Sequence, residues 1–131
     1  MLIERANESL RASQLCLDAE LMNSAASRAY YAMFQAAQVA LELAGMARRQ
    51  CSHATIQAAF TSELIHRRKI YPIALRRELS DGLGVRRAAD YTDLGISRAI
   101  AHRLVRRAVV FVSTVQEVSQ RGWKAQRGWK A

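Results

Sequence analysis

Proline is almost absent from this sequence, which has a single one, Pro72, in 131 residues. That scarcity excludes collagen-like and polyproline architectures and leaves long helices uninterrupted. Hydrophobic runs are short, and none approaches the roughly eighteen unbroken apolar residues of a membrane span. The opening MLIERANESLRAS places Glu4 and Glu8 where a signal peptide would have an apolar stretch. A cytoplasmic protein with no membrane partner is the expectation. Cysteine is also sparse. Cys16 and Cys51 have neither metal-ligand spacing nor a disulfide framework, and read as idle thiols in a reducing compartment. There is no HExxH, Cys cluster or paired acidic motif, and no P-loop or GxGxxG, so no metal and no cofactor are expected.

What is present favours helix. The chain is 50% hydrophobic, enough for a core, and rich in Ala, Leu, Arg, Glu and Gln. No Gly-, Pro- or Ser-rich linker divides it. The first helix is expected over residues 2–20, with Leu10, Leu17 and Leu21 on one stripe. Asn23 or Ser24 is the expected N-cap of a second helix reaching Leu43. Its apolar positions Ala26, Tyr30, Met33, Ala37, Leu41 and Ala44 keep helical spacing, and Tyr31, Phe34 and Val39 widen the stripe. This helix should be the central one, stopped by Gly45. Ser52 reads as the cap of a third helix over 53–67, with Ile56, Phe60 and Leu64 on one face. Pro72 suits the first turn of a fourth, in which Gly82 and Gly84 should cause a bend or local opening. A fifth helix should run from Ser97 to Gln120, striped by Ile100, Leu104, Ala108, Phe111, Val115 and Val118. Nothing alternates like a strand. The predicted fold is all-α, an antiparallel bundle of four to five helices over residues 1–120.

Residues 121–131 form a basic tail in which RGWKA occurs twice around Gln126. Stacking of Trp123 and Trp129 on bases is one reading. A disordered terminus without a role is the other, and the tail is expected to be disordered.

Charge is unevenly distributed. Residues 1–66 carry five Arg/Lys against six Asp/Glu, a balance of −1; residues 67–131 carry fifteen against five, a balance of +10. Such asymmetry points to an acidic partner: RNA or a nucleotide, or an acidic protein. Arg98, His102 and Arg106 line one stripe of the fifth helix, with Arg103 and Arg107 beside it, on a solvated or phosphate-facing side.

Three segments resemble one family. SRAYYAMFQAAQVAL, at residues 27–41, is similar to the YYAMF signature of small prokaryotic HEPN proteins. SHATIQAAF at 52–60 and VRRAADYTDL at 85–94 resemble two further motifs of that group, in the same order. The resemblance spans about residues 1–120. It implies a helical bundle that often forms a homodimer. Many members are ribonucleases or toxins that use Arg, four to six residues, then His, paired across a dimer interface. Some are encoded beside a small nucleotidyltransferase that acts as antitoxin. Others are non-catalytic nucleotide-binding or accessory domains.

This chain departs from the ribonuclease motif where Arg86 is followed by four residues and then Tyr91. A tyrosine, with a pKa near 10, is a poor base at neutral pH. Arg86 and Tyr91 are therefore the catalytic candidates of a site whose activity is left open. Arg28, Tyr31, His53, Arg87, Asp90, Arg103 and Arg107 are the candidate RNA or nucleotide contacts, since an arginine fork suits phosphate. Each has a plainer reading. Arg86 and Asp90, four apart, can simply pair on a helix. One of Tyr30 and Tyr31 should hydrogen-bond across the bundle. His53 could bond locally and steady its turn. The expectation is a HEPN-type protein that binds RNA or a nucleotide, in a toxin–antitoxin or defence-type system with a nucleotidyltransferase partner. An active ribonuclease toxin and a purely structural interaction module are the alternatives.

Overall fold

A computed structural model describes residues 2–46, 52–91 and 95–130, with side chains over 3–46, 52–90 and 95–121. Five helices account for most of it: α1 (Leu2–Asp18), α2 (Met22–Leu43), α3 (His53–Ala59), α4 (Glu78–Tyr91) and α5 (Arg98–Lys130). They pack together as an all-α bundle, with no strand among the described residues. No helix is long and apolar enough to cross a membrane, again among the described residues. Cys51 and the Arg48–Gln50 connection lie outside the described residues, as do the side chains of Tyr91, Trp123 and Trp129. Cys16 is a free, half-buried thiol.

α2 is central because most of its circumference is apolar and small. Ala25, Ala26, Ala29, Ala32, Ala36 and Ala37 are all fully buried. With so little side chain on its flanks, its neighbours come close. α1 answers with a seam of equally small residues, Ala6, Ser9 and Ser13. Ser9 Oγ donates to Gln35 Oε1 across that seam at 2.7 Å, which satisfies a buried hydroxyl. The expected α1 stripe is therefore displaced. Leu10 and Leu17 are half-buried, and Leu21 is 55% exposed beyond the helix end.

Helix ends explain most other departures. α1 stops because Glu20 adopts a left-handed φ of 62°. Leu21 N–H then reaches Cys16 O at 2.8 Å, and Glu20 N–H reaches Leu17 O at 3.0 Å. The same double closure ends α2 around Gly45, φ 77°, where the sequence signalled it. Neither Asn23 nor Ser24 caps α2; Leu21 occupies the cap position without a side-chain bond. Asn23 Oδ1 instead accepts from Ile96 N–H at 2.8 Å, tying the start of α5 to α2. Ser52 Oγ accepts from Thr55 N–H, so α3 has its expected cap, and Ser97 Oγ accepts from Ile100 N–H and caps α5.

The third helix runs to Arg67 as expected, but Phe60–Arg67 is π-helical. Arg68 N–H bonds to Glu63 O, five residues back, at 2.8 Å. Ile56, Phe60 and Leu64 all stay buried through the change of winding. Pro72 precedes a short 3-10 turn, Ile73–Leu75, instead of opening α4. α4 runs without a break through Gly82 and Gly84. Gly82 faces α2: a Cβ there would meet Met33 Cε at 2.7 Å and Tyr30 Cδ1 at 3.1 Å.

Candidate functional site

The site grows from the middle of α2. Tyr30 and Phe34 lie four apart, so their rings share a face, with centroids 6.1 Å apart and planes within 19°. Tyr30 is 1% exposed, and its hydroxyl needs a partner. That partner is His53, the first residue of α3: Oη and Nδ1 are 2.7 Å apart. The imidazole packs against Phe34, centroid to centroid 4.4 Å, and against Tyr30 at 5.6 Å. His53 thus bonds across the bundle instead of within its own turn.

α4 supplies the cations. The Arg86 guanidinium lies 4.4 Å from the centroid of Tyr31 and 5.8 Å from that of Tyr30. This is cation–π distance. Arg86 Nε also meets the Asp90 carboxylate at 3.6 Å, the pairing that four-residue spacing allows. Electrostatics at the cluster follow from burial and these cations. Burial lowers the pKa of His53, and the guanidinium groups of Arg86 and then Arg87 lower it further. The imidazole is neutral at physiological pH. Burial pushes the Tyr30 phenol up to about 12, against the opposing pull of Arg86, so Tyr30 keeps its proton.

Beside this cluster lies a groove of about 670 Å³ between α4 and the helical run from α3 into the π segment. One wall presents Gln57, Ser62 and His66; the other presents Arg76, Ser80 and Arg87. No carboxylate lines it among the described residues. Ala54, next to His53 in the chain, lines it, as does Arg87, next to Arg86 on α4, so groove and cluster adjoin, although His53 and Arg86 are not themselves among its described lining residues. The antiparallel run from Ala54 to His66 makes the groove roughly 18 Å long at about 1.5 Å per helical residue.

The remaining candidates are elsewhere. Arg107 is drawn into α4: its Nε and Nη2 each meet Glu78 at 2.9 Å, and Nη2 meets Asp81 at 2.7 Å. These bonds raise its pKa. Arg103 lines a separate depression, with Asp81, Ile100 and Arg107. Arg98 pairs with Glu20 at 2.9 Å. The α5 arginine stripe is thus partly committed to the chain's own acids. Arg28 is exposed on α2, one turn before Tyr31. The structure therefore joins Tyr31, His53, Arg86, Arg87 and Asp90, and sets Arg103 and Arg107 apart. No group of three or more His, Cys, Asp or Glu among the described residues could hold a metal ion.

Sequence reasoning missed Gln57, Ser62, His66, Arg76 and Ser80 as groove walls. A weak signal was present: Ala54, Gln57, Ala58, Thr61 and Ser62 keep helical spacing on the side away from Ile56, Phe60 and Leu64. Their facing partners on α4 are not readable from spacing.

Comparison with known proteins gives two findings. The family model for the HEPN domain matches residues 1–118. The UPF0332 protein glr0978 of Gloeobacter violaceus is 32% identical over 90 residues, which is 69% of this chain and 69% of that protein.

Proposed function

The chain belongs to the HEPN domain family, and from that premise we propose that it binds RNA or a nucleotide in the groove between α3 and α4. The observation that carries this reading is the groove's charge. Arg76, Arg87 and His66 line it, and among the described residues no carboxylate does. Arg76 spends one bond on the carbonyl of Ile73, and neither arginine makes an ion pair among the described residues. Two unneutralised guanidinium groups flanked by hydroxyl and amide groups suit phosphate oxygens. The test is fluorescence anisotropy with a labelled oligouridylate at low salt. Arg87→Ala and Arg76→Ala should each weaken binding severalfold, while Arg103→Ala leaves it unchanged. Equal affinity for wild type and both groove variants would refute the groove.

Rapid cleavage is not part of this reading. Tyr91 takes the position of the family's catalytic histidine, and a neutral-pH base is not supplied by a phenol. The alternative, an active ribonuclease, predicts brisk cleavage abolished by Arg86→Ala.

We further propose a homodimer and a nucleotidyltransferase partner in a toxin–antitoxin or defence-type system. Both rest on the resemblance to HEPN proteins of that kind. A monomer mass by light scattering at micromolar concentration would refute the dimer. Failure of a nucleotidyltransferase encoded beside the gene to co-purify would refute the partner.

A further inference from the structure

Phosphate recognition at the end of the groove nearest α2 requires a donor whose direction is fixed, and the Tyr30–His53 pair provides one. Tyr30 is buried, and its phenolic proton has no acceptor among the described residues other than His53 Nδ1, 2.7 Å away. An imidazole nitrogen is a far better acceptor than a phenolic oxygen. The reverse arrangement, with Nδ1–H donating, would leave the phenol proton buried and unbonded, which is costly. The hydroxyl therefore donates to Nδ1, and the single proton of the neutral ring resides on Nε2. That nitrogen has no hydrogen-bond partner among the described residues, and the ring is only half-buried. Phe34 stacks on the ring at 4.4 Å and holds its plane. Arg86 and Arg87 both stand near enough to lower its pKa.

We propose that His53 is a phosphate-binding residue, an Nε2–H donor oriented by Tyr30, which with Arg87 receives a phosphate of a single RNA strand lying in the groove. The inference rests on the groove reading and deepens it by naming the ligand group and the residues that meet it. It also bears on chemistry. With Nδ1 engaged and Nε2 protonated, the ring has no lone pair left to take a proton from a ribose 2′-hydroxyl. This end of the groove is built to hold a phosphate diester, not to break it.

Two measurements test the inference on the full chain. Long-range ¹H–¹⁵N correlation of histidine-labelled protein at neutral pH should show His53 as the Nε2–H tautomer. The Nδ1–H tautomer would overturn the proposal. Titration with a short oligouridylate should then move the His53 ¹⁵N signals, as should inorganic phosphate at higher concentration. Uridine, which has no phosphate, should not. A response to uridine alone would overturn the phosphate assignment. His53→Ala should weaken oligouridylate binding by about five- to tenfold, the worth of one net hydrogen bond or slightly more. His53→Gln, which keeps an amide donor, should lose less. Thermal melts of both variants separate loss of binding from loss of fold. If His53→Ala binds like wild type while Arg87→Ala does not, this inference fails and the groove reading stands. If Arg87→Ala also binds like wild type, both fail.

Discussion

At the scale of the residue, the site combines what sequence could suggest with what only packing could supply. Tyr30's need for a hydroxyl partner was legible, because a tyrosine in a fully apolar stripe must bury its oxygen. The partner was not, because His53 arrives from 23 positions away, past a connection with no pattern of its own. The pairing has a pH signature. Folding lowers the His53 pKa below its ordinary 6.5, so the unfolded chain takes up its proton at a higher pH than the folded one. The stabilising contribution of neutral His53 is complete above about 6.5 and is lost as pH falls through the window below it. Urea midpoints should therefore fall between neutral pH and about pH 5 by more in wild type than in His53→Gln. An identical acid limb in the two proteins would contradict the burial and cation effects on this ring. Gly82 is a second residue whose role was misread from sequence. It looked like a weak point in α4, yet its missing Cβ is what admits Met33 and Tyr30. Gly82→Ala should cost about 1–3 kcal/mol by overpacking, despite alanine's better helix propensity, as measured by denaturant unfolding. A stabilised Gly82→Ala would show that Met33 moves aside freely.

At the scale of the element, helix existence was legible and helix ends only in part. Periodicity located all five helices. Gly45 announced its own stop, whereas Glu20 closes α1 in the same left-handed geometry with no sequence signal for it. Gly45→Ala should lower stability by about 1 kcal/mol, since an open surface around it leaves only the φ of 77° to oppose a Cβ. The π-helical stretch was invisible because Ile56, Phe60 and Leu64 keep a spacing that either winding can bury. α5 shows the limit of reading charge by stripe. Arg107 shares a helical face with other cations, but its side chain reaches Glu78 and Asp81 on α4. Those acids are 29 and 26 positions away, so spacing alone could not pair them. Arg107→Ala should destabilise by about 1 kcal/mol, a value between exposed and well-formed bidentate pairs. It should speed amide exchange in α4 and leave RNA affinity nearly unchanged.

At the scale of the whole molecule, the wide apolar surface of α2 is consumed inside the bundle by α1, α4 and α5. The basic second half divides in a similar way. Part of its charge is neutralised internally, by Glu63 on Arg67, Asp90 on Arg86, Glu20 on Arg98, and Glu78 with Asp81 on Arg107. Net charge alone would spread RNA over the entire basic face, whereas the groove concentrates the guanidinium groups of Arg76 and Arg87, which have no ion pair among the described residues. Salt dependence separates these pictures. Each phosphate neutralised on a single strand contributes about 0.7 to the slope of log affinity against log salt. The double variant Arg76→Ala with Arg87→Ala should therefore flatten that slope by about 1.4. Arg103→Ala with Arg107→Ala, which removes the same formal charge, should barely change it. Anisotropy titrations of both double variants across a salt series give the two slopes directly. Equal flattening would mean that the chain is read as a diffuse cation and that the groove has no privileged place in binding. Flattening confined to the first variant would locate the counterion release between α3 and α4, where no carboxylate lines the groove among the described residues.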